Sequence, residues 1–190
     1  MASTLSQRLL ARASGRNVLI ALVLFIALAA GVLPRAEARL LAYSGGRGPL
    51  DLRVTGYGPE EALATVEALG PEGRAFYATV ELTADVVYPA VYTAFLVLLL
   101  GWALRRAAPT AGHPAHRLLP LPFLVTGADL LENAAIVTLL LTHPSAPAAV
   151  ARAAGMLTVL KWGLLALTGM VILATLAAAG VRALKARGTS

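Results

Sequence analysis

The sequence predicts an all-α fold: a four-transmembrane-helix bundle with a short helical extracytoplasmic cap between the first and second helices. Three observations lead there. Of the 190 residues, 58% are hydrophobic and 14% charged, against roughly 25% charged in an ordinary soluble domain. The apolar residues gather into four long runs, each close to the ~20 residues a helix needs to cross a hydrocarbon core. Basic residues flank these runs unequally on their two sides, which gives the bundle a direction.

The first span is expected at about residues 17–33, NVLIALVLFIALAAGVL, preceded by Arg8, Arg12 and Arg16. The second covers about 86–104 and ends in Arg105 and Arg106. The third covers about 118–142, with Pro120 and Pro122 in its first turn, where a missing amide costs a helix least. The fourth covers about 153–179 and is followed by Arg182, Lys185 and Arg187. The whole chain, 1–190, reads as one integral membrane domain.

Four spans put both termini and the loop 105–117 on one side. That side carries Arg8, Arg12, Arg16, Arg105, Arg106, Arg117, Arg182, Lys185 and Arg187 and no acid, whereas in 34–85 eight acids outnumber five arginines. The positive-inside rule then makes both termini cytoplasmic, and the expected location is the cytoplasmic (plasma) membrane. Ala36-Glu37-Ala38 after an apolar run imitates a signal-peptide cleavage site. The run of 17 residues exceeds the 7–15 or so typical of such peptides, so a retained anchor is expected.

The cap, about 34–85, begins irregularly, with a turn-rich stretch from Ser44 to Pro49. Pro59 with Glu60 and Glu61 starts a helix whose apolar face is Ala62, Val66 and Leu69, and Gly70 stops it. Pro71-Glu72 starts another, which is expected to run on through Tyr77 and Glu81 into the second span. About 50 residues are too few for an independent core, so this segment should pack on the mouth of the bundle.

Several classes of function are excluded or left without support. No cysteine is present, which removes thiol catalysis, cysteine-ligated zinc and disulfides. The net charge of +6 sits beside apolar spans, so nucleic acid is not an expected partner; the lipid bilayer is. Haem lacks an intramembrane histidine, and no nucleophile elbow, zinc-helix motif or phosphate loop occurs. His113 and His116 in the cytoplasmic loop lack a third ligand. No metal and no cofactor is expected, and an oligomer is compatible with the sequence.

The informative residues are those a membrane should not contain. Asp129, Glu132 and Asn133 lie in mid-span within VTGADLLENAAIV, and spacings of three and four put them on one helix face, with Thr126 one turn earlier. Lys161 lies inside the fourth span. At 1.5 Å per residue, Glu132 and Lys161 sit about 15 and about 13 Å from the outer ends of neighbouring antiparallel helices. They are therefore expected to form an ion pair, with Asp129 about one turn deeper. A charge at a helix centre costs roughly 2.5–3.5 kcal/mol on insertion scales, so these three should face the bundle interior. Two carboxylates against one ammonium leave an uncompensated charge, which requires a retained proton, a cation or a cationic ligand.

A second stripe, Tyr77, Glu81, Asp85, Tyr88 and Tyr92, runs at spacings of four, four, three and four along one face of a continuous helix. If it meets the third span, Asp85, Tyr88 and Tyr92 line a crevice leading from the external side to Glu132 and Lys161. Trp162 would then wall the site, and Pro89 would open space beside it.

Gly56-Tyr57-x-Pro59-Glu60-Glu61-Ala62, Asp85 with Tyr88-Pro89 and Tyr92, Asp129-x-x-Glu132-Asn133 and Lys161-Trp162 together resemble a family of small four-helix bacterial integral membrane proteins. The resemblance covers roughly residues 40–165. It implies a four-span fold and supplies no reaction. The candidate site is Asp129, Glu132, Asn133 and Lys161, approached past Asp85, Tyr88 and Tyr92. The leading expectation is binding, or proton-coupled handling, of a small or lipid-like molecule, with Glu132 and Lys161 as charge pair and Asp129 as the protonatable partner. Two alternatives stand beside it. One is a lipid-active membrane enzyme using the carboxylate pair as acid and base; the other is a structural or assembly protein whose buried charges set helix register.

Overall fold

The computed structural model describes residues 4–110 and 112–187. Among them are eight α-helices, one short 3-10 helix and no strand. The helices are α1 (Thr4–Arg12), α2 (Gly15–Gly31), α3 (Leu33–Tyr43), α4 (Pro59–Ala68), α5 (Gly70–Leu82), α6 (Ala84–Ala107), α7 (Leu121–Thr142) and α8 (Ala148–Arg187), with the 3-10 turn Pro114–Leu118 before α7. Four helical segments are long and apolar enough to cross a membrane: Gly15–Tyr43, Gly70–Ala107, Pro114–Thr142 and Ala148–Arg187. All four expected runs fall inside them.

Two of the expected boundaries change. Residues 33–43 are helical, although an irregular start to the cap was expected there. Pro34 stands in the first turn of α3, where no amide is needed. The carbonyl left at the end of α2 is taken by a side chain, since the Arg35 guanidinium donates to Gly31 O. The irregular stretch begins only at Ser44. The expected continuous helix through Tyr77 and Tyr92 is interrupted at Thr83 (φ −124°, ψ −79°), which separates α5 from α6. The N-terminal helix α1 was not foreseen.

Other local expectations agree with the structure. Pro59 opens α4 with Glu60 and Glu61 in its first turn. Gly70 (φ +62°) turns the chain between α4 and α5 with a backbone few other residues adopt. Ser14 caps α2 by accepting from Asn17 N at 3.2 Å.

α6 is the central helix, packed on α2, α7 and α8, while α7 and α8 form the closest pair. Arg105 near the end of α6 donates to the carbonyls of Leu10 and Ala13 (3.2 and 3.4 Å), which ties α1 to that end of the molecule.

Two apolar cores hold the molecule together. One joins Leu40 of α3, Leu50, Val66 and Tyr77 to Ile136 and Leu139 of α7 and Ala151 and Ala154 of α8. The segment between α2 and α6 thus borrows its core from α7 and α8, as its length requires. The other core, at the opposite end, is Leu100, Leu104, Leu119 and Ile172. Between the two lies a layer of buried polar side chains, including Thr93, Asp129, Glu132, Thr158 and Lys161.

Candidate functional site

α7 supplies the carboxyls because its buried stripe, Val125, Ala128, Asp129, Glu132, Asn133 and Ile136, follows the helical repeat of three and four. Leu124, Leu130 and Leu131 point outward on the other side. α8 contributes Thr158 and Lys161 from the corresponding stripe. Lys161 Nζ lies 2.5 Å from Glu132 Oε2 and 3.4 Å from Asp129 Oδ1, so the expected pair forms and the ammonium bridges both acids. Glu132 is fully buried, and its other oxygen accepts from the Thr158 hydroxyl. Asp129 Oδ2 accepts from Tyr92 OH at 2.8 Å.

Asn133 reaches α6. Its Nδ2 donates to the backbone carbonyl of Asp85 at 2.6 Å. Tyr88 packs edge-on against Tyr92 (5.5 Å between ring centres) and stacks on Phe25 of α2 (5.7 Å). The tyrosine face of α6 therefore does meet α7, despite the interruption at Thr83.

A cavity of about 220 Å³ lies beside these residues, lined by Asp85, Tyr88, Tyr92, Asp129, Lys161 and Trp162 among others. Its remaining walls are largely apolar, with Phe25, Leu33, Phe95, Leu96 and Leu165. Glu132 does not line it, so Asp129 is the acid of α7 that a cavity occupant would meet. A second, apolar cavity is lined by Val32, Leu33, Leu82, Thr83 and Tyr88. It shares Leu33 and Tyr88 with the first and lies where both α2–α3 and α5–α6 are interrupted.

Two acids belong to this arrangement that the spacing argument did not select as site residues. Asp51 follows the Gly48-Pro49 turn in the loop between α3 and α4 and lines the cavity. Its carbonyl accepts from Lys161 Nζ (3.3 Å) and Trp162 Nε1 (3.1 Å), and its Oδ1 from Tyr77 OH (2.6 Å). Glu81 of α5, recognised in sequence only as part of the tyrosine stripe, is 1% exposed. Asp51, Glu81 and Asp85 each bring a carboxylate oxygen within 4.8 Å of the other two. Glu37, Asp51, Asp85 and Asp129 line the cavity, and Lys161 is the one basic residue among the described residues that does so.

The loop carrying Asp51 is clamped against α8. A Cβ on Gly155 would lie 2.2 Å from Tyr57 O, and Gly56 (φ +77°) sits against Val159 and the Gly155 carbonyl. Only glycine at 155 lets the backbone approach this closely. Arg53 fastens the same loop to α4 through Glu61 Oε1 (2.6 Å) and Thr65 Oγ1 (3.0 Å). Burial of the Tyr57 ring pushes its hydroxyl well above the usual phenol range, so it stays protonated beside these acids.

The histidines have local tasks. His113 Nδ1 accepts from Ala115 N (3.2 Å) and His116 Nε2 lies 3.1 Å from Ala108 O, which secures the turn before α7.

Comparison with protein-family models, curated proteins and solved structures finds no match for this chain.

Proposed function

We propose that this chain is a multi-pass protein of the cytoplasmic membrane that binds a small amphipathic or lipid-like molecule between its helices. The observation carrying this reading is the cavity whose apolar and aromatic walls end on Asp129 and Lys161. Such a space accepts an apolar body, and its few convergent polar groups orient a polar end. Asp129 is held between Tyr92 and Lys161, and it is the group that exchanges a proton when the ligand enters or leaves. Glu132, sealed away and paired with Lys161, keeps the ammonium in place.

Membrane residence is supported by four long apolar helices and by the leucines they turn outward, among them Leu19, Leu124, Leu160 and Leu173, each at least half exposed. A soluble monomer rarely exposes an apolar surface so extensive. The charge asymmetry supports cytoplasmic termini, with α3, α4 and α5 as the external cap. The second cavity supports lateral entry, because it offers an apolar route past Tyr88 at the two helix interruptions.

Quantitative mass spectrometry of organic extracts tests the reading on wild-type protein and Asp129→Asn purified from native membranes. An amphiphile retained by the wild type and lost by the variant is the expected result. Identical extracts, together with identical proton uptake, would remove the proposal.

A further inference from the structure

We propose that Asp51, Glu81 and Asp85 form a binding site for one hard divalent cation of the calcium, magnesium or manganese class. The three carboxylates come from separate elements, the loop after α3, the end of α5 and the start of α6, and converge within 4.8 Å. Three like charges at that spacing repel one another unless a counter-charge lies between them. Lys161 supplies only part of it, one positive charge shared among all the acids. Its ammonium is engaged by Glu132 and Asp129 and meets Asp51 through the backbone carbonyl.

Glu81 points more directly to an ion. It is 1% exposed, and neither carboxylate oxygen has a hydrogen-bond partner among the described residues. Buried carboxylates are ordinarily supplied with donors, and one without them leaves its lone pairs open to a metal. Asp51 is also positioned in advance. Tyr77 OH holds one carboxylate oxygen while Lys161 and Trp162 hold its carbonyl. The donors are all oxygen, with no sulfur or imidazole, which selects hard cations. The sequence alone leads to no metal here, since Asp51 and Glu81 are 30 positions apart and obey no ligand spacing. Asp51 and Asp85 also line the cavity, but the ion site leaves Asp129 and Lys161 to the amphiphile, and it stands without that reading.

The test uses full-length protein in detergent, stripped with EDTA and titrated with Mn²⁺, followed by electron paramagnetic resonance. A parallel titration follows Tb³⁺ emission sensitised through Tyr77 and Trp162, whose hydrogen bonds to Asp51 place them beside the site. The expected result is one saturable ion per chain, displaced by Ca²⁺. Glu81→Gln and Asp51→Asn should each weaken it by about tenfold or more, while the exposed Glu60→Gln leaves it unchanged. No saturable Mn²⁺ binding by the wild type at about 1 mM, the weak end for such sites, would overturn the proposal and leave protons as the shared counter-charge. Unchanged affinity in both site variants would overturn it equally. Should Glu81→Gln fail to fold, wild-type stoichiometry and Asp51→Asn decide.

Discussion

Asn133 completes a hydrogen bond that α6 cannot make for itself: its Nδ2 donates to the carbonyl of Asp85, four residues before Pro89. Proline has no amide to return to that carbonyl, so the side chain from α7 takes the amide's place. Asn133→Leu should therefore cost about 1 kcal/mol, the usual size of such bonds between apolar helices. Pro89→Ala restores a backbone donor, so the double variant should recover most of the loss. Thermal unfolding of the four proteins checks this cycle, and strictly additive effects would contradict it.

Lys161→Met leaves two buried carboxyls without their ammonium. A loss of about 3–5 kcal/mol is expected from an uncompensated buried charge. The triple variant Asp129→Leu/Glu132→Met/Lys161→Met removes the charges together and should lose less stability than Lys161→Met alone. Chemical denaturation measures both. If the triple variant also retains the extracted amphiphile, the charges are structural only, and the role proposed for Asp129 and Lys161 in binding is wrong.

Gly155→Ala places a methyl group where Tyr57 O now lies. The loop should lift from α8 at a cost of about 1–3 kcal/mol, typical of overpacking. Faster proteolysis between residues 47 and 58, with other regions unaffected, is the expected signature.

Because the chain has no cysteine, single cysteines report topology cleanly. Glu72→Cys and Thr110→Cys are both at exposed positions. In intact cells an impermeant maleimide should label the first and not the second; the reverse pattern would invert the proposed orientation.

The legible part of the site was the part built on helical periodicity. Asp129, Glu132 and Asn133 declare a shared face by spacing, and comparable depth on adjacent helices is enough to pair Glu132 with Lys161. Asp51 carries no such signal. Its place is decided by long-range bonds to Tyr77, Lys161 and Trp162, each from a helix remote in sequence. Residues 33–43 differ from the irregular start expected of the cap because Pro34 does not interrupt the helical path for long. It begins a new helix, with the Arg35 side chain satisfying the carbonyl that the interruption frees. The interruption at Thr83 had no proline or glycine to announce it.

That interruption divides the acids between two bodies. Glu81 belongs to α5, which packs on α3 and α7, and Asp85, four residues later, belongs to α6. Asp51 is tied to α5 through Tyr77 and to α8 through Lys161 and Trp162. A rotation at the Thr83 joint would therefore part Glu81 from Asp85 and pull Asp51 in two directions at once. An ion held by all three carboxylates would thus fix the angle between α5 and α6.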